Sequence, residues 1–258
     1  MKLKKGRSPL DRFAPLRVPG QSISEQLDDL VSDHLLGPSM VALFAIVMAG
    51  MEWWRFYASA KPNPIVYSAV AVVSVVYAAI RIALARKRIR QLKLGRDGER
   101  AVAQQLEWLR RENFFVFHDV PNGDANVDHL LIGPKGVFTI ETKTLSKPER
   151  GECKITFTDG VIRANGLALD RDPLVQAKAQ ASWMRAFLAE HQFTASVWPV
   201  VLFHGWFVEP FDSKVVGAWV LEPKALRSFI GNQPDRFALE DVKAMASAMT
   251  SYIRSQAK

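Results

Sequence analysis

A mixed α/β domain preceded by two long apolar helices is the architecture that this 258-residue sequence predicts. Three observations predict it. Two apolar runs, at about residues 35–57 and 65–84, lie in the first third of the chain. From Gly95 onward, short β-prone segments alternate with segments of helical periodicity. Turn-forming pairs and clusters, among them Asp159-Gly160 and Gly-Pro-Lys-Gly at 133–136, separate those segments.

The first run contains "MVALFAIVMAGMEWW" and carries no charge until Glu52; the second, "IVYSAVAVVSVVYAAIRIAL", carries only Arg81. A hydrocarbon core of about 30 Å needs about 20 helical residues, so each run is long enough to span. The intervening "SAKPNP" suits a tight helical hairpin. Trp53, Trp54, Tyr57 and Tyr67 fall near that loop, where amphipathic rings favour a membrane interface. Lys2, Lys4, Lys5, Arg7, Arg12 and Arg17 precede the first run, and Arg81, Arg86, Lys87, Arg88 and Arg90 end or follow the second. The loop offers only Arg55 and Lys61, so the positive-inside bias places both termini in the cytoplasm of a plasma or inner membrane. The first run begins too far from Met1 for a cleaved signal peptide, and no A-x-A site follows it. A helical hairpin buried in a soluble protein is the competing reading, although charge-free runs this long are rare there. The expected division is a basic segment at 1–34, a two-helix transmembrane hairpin at 35–85, a basic linker at 86–94 and a domain at 95–258. The basic residues of 86–90 suit anionic headgroups.

A hydrophobic share of 48% with 23% charged residues excludes a disordered chain. The single Cys153 excludes an internal disulfide. A net charge of +8 favours polyanionic partners, nucleic acid or anionic lipid, without choosing between them.

Within the domain, "GRDGERAVAQQLEWLRRE" sets Ala101, Val102, Leu106 and Leu109 on one helical stripe. "NFFVFHDV" is aromatic and β-prone and runs into a "PNGD" turn. "NVDHLLIGPKGVFTIETK" reads as two strands around a tight turn, and "KITFTDGVIRANG" as a hairpin with Asp159-Gly160 at its tip. Asp172-Pro173 supplies an N-cap and first-turn pair for the amphipathic "DPLVQAKAQASWMRAFLAEH". "SVWPVVLFHGW" suits an interior strand and "KVVGAWVLE" another. "EPKALRSFIG" and "LEDVKAMASAMTSYIR" close the chain as helices.

Charges interrupt the apolar hairpin of 126–143 at one end. An acid-x-lysine triplet is weak evidence, since the sequence holds five of them. Only Glu141-x-Lys143 follows directly on an apolar strand, "GVFTI", with an acid opening the strand before it. Residues i and i+2 of a strand share a face, so Glu141 and Lys143 project together. Asp128 lies as far before Gly133 as Glu141 lies after Gly136, which puts the two carboxylates level across the turn. Converging carboxylates repel unless a cation joins them, and Mg²⁺ favours few carboxylates, water and phosphate oxygens.

These motifs, "GRDGE" opening a helix, "VDHLLIGPKGVFTIETK" and the later "DPLVQAKAQ", resemble the nuclease-related (NERD) domain, a family of the PD-(D/E)xK restriction-endonuclease-like superfamily. The resemblance runs from about Gly95 to His204. It implies a restriction-endonuclease-like mixed sheet flanked by helices, following the two transmembrane α-helices. It also implies a metal-dependent nuclease, with Asp128 and Glu141 as metal-binding carboxylates and Glu99 completing the acidic cluster. Lys143 would then position or activate the attacking water and offset phosphate charge. Gln176 would orient water or substrate, and Gln180 stands where some superfamily members carry a tyrosine. The implied cofactor is Mg²⁺ or Mn²⁺ and the implied partner nucleic acid, DNA ahead of RNA.

Plainer roles stand beside these. Glu99 suits the first turn of a helix, Asp128 a strand end, Glu141 and Lys143 a rim ion pair, and Gln176 an exposed helix face. His129 faces away from Asp128 and suits a structural hydrogen bond, while His118 and His204 are expected at strand ends without a role. The leading function is a membrane-anchored, Mg²⁺-dependent nuclease at the cytoplasmic face; the alternatives are a silent nucleic-acid or protein binding module and an anchor with an incidental domain.

Overall fold

A computed structural model describes residues 17–59, 64–123, 125–148, 152–210 and 212–256. Lys2, Lys4, Lys5, Arg7 and Arg12 of the expected basic segment, and Lys61 of the expected loop, lie outside the described residues. The chain divides into two compact units, one of residues 22–94 and one that joins 17–21 to 95–256.

In the first unit, α1 (Gln21–Val31) passes through a π-helical turn (Ser32–Leu36) into α2 (Gly37–Tyr57). The helical chain therefore begins well before residue 35, and the stretch 21–34 is helical as well. α3 (Pro64–Leu106) starts after the loop and runs on without a break, so the expected linker at 86–94 is helical. No Gly or Pro interrupts it before Gly95, and its Arg, Lys, Gln and Leu residues are good helix formers. Ala45 and Ala49 of α2 pack with Ala71 and Tyr67 of α3, and Trp53 Nε1 donates to Ser68 Oγ at 3.1 Å. Small residues let two helices approach closely. Phe44, Val47, Val72 and Val73 stay exposed. Both helices are long and apolar enough to cross a membrane.

The second unit takes the C-terminal turns of α3 and a 3₁₀ segment (Glu107–Glu112) into a five-stranded sheet. Strands β1 (Phe115–Asn122), β2 (Ala125–Gly133) and β3 (Gly136–Lys143) form an antiparallel meander. β4 (Lys154–Thr158), β5 (Val161–Ala164) and β6 (Leu167–Ala168) follow, then α4 (Pro173–Glu190), β7 (Val197–Phe203), β8 (Phe207–Val208), α5 (Ser213–Val216), β9 (Trp219–Leu221), α6 (Pro223–Gly231) and α7 (Leu239–Gln256). The main sheet has the order β1-β2-β3-β7-β9, with β3, β7 and β9 parallel; the second has the order β6-β5-β4-β8. A mixed α/β fold behind two long apolar helices is thus observed.

The turn chemistry does its work locally. Asp159 and Gly160 both take positive φ (55° and 77°), the geometry a two-residue hairpin turn demands. Asp172 accepts the Leu174 N–H at 2.9 Å and caps α4. "KVVGAWVLE" divides differently from expectation: its first residues form the short helix α5, Gly217 turns the chain at φ 69°, and the strand is only Trp219–Leu221. Alternation along β3 serves two cores. Val137 packs with Ala181 and Met184 of α4 and Met249 of α7, whereas Phe138 and Ile140 pack with Val102 and Leu106 of α3 and Ile230 of α6. β3 is therefore covered on both faces, and a charge at its end stands beside helices on either side.

Candidate active site

The last paired residues of β2 and β3 are His129 and Ile140, and the same register makes Asp128 level with Glu141. The ladder stops there. The Thr142 N–H is donated instead to Asp128 Oδ2, at 2.6 Å. Glu141 and Lys143 share the face of Val137, under α4. Lys143 Nζ donates to Glu141 Oε1 at 2.6 Å and to Gln176 Oε1 at 3.2 Å. Asp128, Glu141, Lys143 and Gln176 are thereby brought together by one strand end and the first turns of one helix.

Gln180, one turn after Gln176, is buried and donates Nε2 to Glu141 Oε2 at 2.7 Å and to the Asn126 carbonyl at 3.3 Å. Both oxygens of Glu141 are thus held, one by Lys143 and one by Gln180. The i, i+4 spacing from Gln176 was the available signal for this residue.

Glu99 is buried and reaches the cluster through charge. Burial, then Asp119 and Glu141, push its carboxyl up to about 8 against the opposing pull of Lys143 and a hydrogen bond from the Gly20 N–H. Asp128 is also held well above the usual carboxylate range, by burial, Glu141 and Glu99, with the Thr142 N–H and Lys143 opposing. Lys143 is the cation among these groups, and its side chain remains 24% exposed.

Asp119 is a member of this cluster that the sequence did not disclose. The pairs His118–His129 and Val120–Val127 put it level with Asp128, yet its φ of 49° takes it out of extended conformation. It is buried; Arg17 Nη1 donates to Oδ2 at 3.1 Å and Asn126 Nδ2 to Oδ1 at 2.8 Å. Nothing in "FHDV" distinguishes Asp119 from an ordinary strand residue, and its partner Arg17 lies 102 positions away. Arg17 and Gly20 together tie a segment ahead of the first helix to two acids of the site.

His118 lies inside β1 rather than at a strand end, because β1 continues to Asn122. Its Nδ1 is 2.9 Å from His129 Nδ1, and its Nε2 is 3.6 Å from Glu107. Burial lowers the pKa of His118 and, together with His118, takes His129 well below its ordinary value. Burial thus favours the neutral form of both rings. His204 follows the end of β7.

Among the described residues, no group of three or more His, Cys, Asp and Glu side chains is placed to hold a metal ion. The donor chemistry nevertheless fits a hard divalent cation, since the site offers carboxylate oxygens without thiol or imidazole. Two of its acids resist ionisation until positive charge is added. Asp128 also keeps Oδ1 without a partner among the described residues.

Residues 94–204 match the family model for the nuclease-related domain, NERD. No curated protein and no solved structure matches the chain.

Proposed function

With a nuclease-related domain at residues 94–204 as the premise, we propose that the protein is a membrane-anchored, metal-dependent nuclease of the PD-(D/E)xK type, hydrolysing phosphodiester bonds of nucleic acid at the cytoplasmic face. The observation that carries the reading is the Lys143 ammonium bridging Glu141 and Gln176, with Asp128 level across the hairpin. Asp128 and Glu141 would hold a Mg²⁺ or Mn²⁺ ion, with Glu99 at the edge of the cluster. Such an ion supplies a Lewis acid for phosphate oxygens and makes the water it binds more acidic.

The chain's own groups do the rest. The Thr142 N–H fixes Asp128, and Gln180 fixes Glu141, so neither carboxylate turns freely. Lys143 is exposed enough to reach a phosphate oxygen and positive enough to offset its charge. Gln176 orients the Lys143 ammonium from the side. The two long apolar helices supply the anchor, and the basic residues flanking them give the cytoplasmic orientation.

A second reading, a silent binding module, draws on the full engagement of Glu141 by Lys143 and Gln180. One experiment separates the two. The full chain in detergent is incubated with labelled single- and double-stranded DNA and RNA in Mg²⁺, Mn²⁺ or EDTA. The nuclease reading predicts metal-dependent cleavage that Glu141→Ala and Lys143→Ala abolish. Binding without cleavage in every metal selects the module.

A further inference from the structure

A cavity of about 440 Å³ opens beside the acidic cluster. Its walls come from residues 17–19, from the α3 face that carries Arg100 and Gln104, and from β1 at Val116 and His118, with Arg110 at its edge. Three guanidinium groups thus line one recess. Two of them already have partners: Arg17 gives Nη1 to Asp119, and Arg110 serves Glu107 and the Val116 carbonyl. Arg100 is exposed and makes no hydrogen bond or ion pair among the described residues. Glu107 is the one acid in the lining, so the recess is net positive.

We infer that this recess is a subsite for a backbone phosphate of the nucleic acid, next to the phosphate presented to Lys143, with Arg100 as its principal ligand. The inference rests on the nuclease reading and adds a substrate-binding residue to it. Several features carry it. Arg17 bridges the two places, since it lines the recess and bonds Asp119 of the acidic cluster. A planar guanidinium fork matches two phosphate oxygens better than an ammonium does. Gln104 lies one turn from Arg100 and offers a neutral donor to the same group. The apolar wall at Val116 keeps water from one side of the contact.

The test is fluorescence anisotropy of a labelled single-stranded oligonucleotide with the full chain in detergent, in EDTA so that nothing is cut, across a range of salt. Arg100→Ala is expected to weaken binding roughly tenfold at low salt. It should also lower the slope of log K against log salt by about 0.7, the loss of one phosphate contact on a single strand. Arg100→Lys retains the slope and loses part of the affinity. Lys243→Ala on α7 removes the same charge from a different face and is expected to change neither. Equal affinity and slope in the parent and Arg100→Ala overturn the subsite while leaving the nuclease reading intact. Equal losses in Arg100→Ala and Lys243→Ala also overturn it, since the effect is then one of net charge. A parent that binds no oligonucleotide overturns both. Displacement of the oligonucleotide by glycerol phosphate, but not by inorganic phosphate, assigns the recess to a lipid headgroup and overturns the proposal as well.

Discussion

Replacing Glu99 by glutamine tests the electrostatics of the acidic cluster directly. In the folded protein the Glu99 carboxyl is raised to about 8 from an ordinary 4.5, chiefly by burial and then by Asp119 and Glu141. A group whose pKa is raised on folding holds its proton more tightly in the native state. Its contribution to stability is fully present below 4.5 and is lost as pH rises toward 8. The slope is about 1.4 kcal/mol per pH unit for one such proton. Asp128, also raised, acts with the same sign. His118 and His129 act oppositely, because their lowered pKa values remove stability as pH falls below the ordinary 6.5. The histidines still titrate at the lower edge of the window between pH 6.5 and 8, but they are common to parent and Glu99→Gln, so the difference between the two chains isolates Glu99. Allowing for half-ionisation at pH 8, Glu99 accounts for about 1–2 kcal/mol of stability lost across that window. Urea unfolding of the full chain in detergent measures the effect. The parent's midpoint is expected to fall from pH 6.5 to 8, and that of Glu99→Gln to fall less. Parallel pH curves for the two chains would refute the raised carboxyl and the clustering that explains it. Added Mg²⁺ is expected to flatten the parent's curve, since a bound cation favours the ionised acids.

Three further outcomes follow from named contacts. Gln180→Leu removes the donor on Glu141 Oε2 and is expected to lower metal affinity or cleavage about 10–100-fold, as measured by Mg²⁺ titration of cleavage, with the fold retained by circular dichroism. Arg17→Ala leaves the buried Asp119 carboxylate without its guanidinium and should cost about 1–3 kcal/mol by urea unfolding, with Arg17→Lys recovering part. Gly98→Ala would ordinarily strengthen a helix by about 0.5–1 kcal/mol. Here the new Cβ would lie 1.7 Å from Thr144 Oγ1, so the variant is expected to lower the unfolding midpoint and Thr144→Gly to restore it in part.

The sequence made some of this legible and hid the rest for physical reasons. The level match of Asp128 and Glu141 was readable because a hairpin register follows from counting outward from a turn whose residues announce themselves. Lys143 followed from the two-residue repeat of a strand, and the helix carrying Gln176 from Asp172 and Pro173 at its start. Each of these signals is local. Asp119 was not readable, because its place in the cluster depends on a left-handed backbone turn inside an otherwise regular strand. Nor were Arg17 and Gly20, whose partners lie some 80 to 100 positions away in sequence. Gln180 stood at a spacing that pointed to it, but its hydrogen bond to Glu141 depends on how closely α4 lies on β3. The split of "KVVGAWVLE" into helix and strand shows β-branched residues giving way to a turn set by Gly217.

The bonds from Arg17 and Gly20 also fix an order of events in the protein's synthesis. The ribosome delivers these two residues first, then two helices long and apolar enough for a membrane, and only afterwards Glu99 and Asp119. The acid cluster cannot close around its N-terminal partners until both apolar helices have left the exit tunnel. A nascent chain stalled between the two helices therefore carries Arg17 and Gly20 without any of the acids they bind.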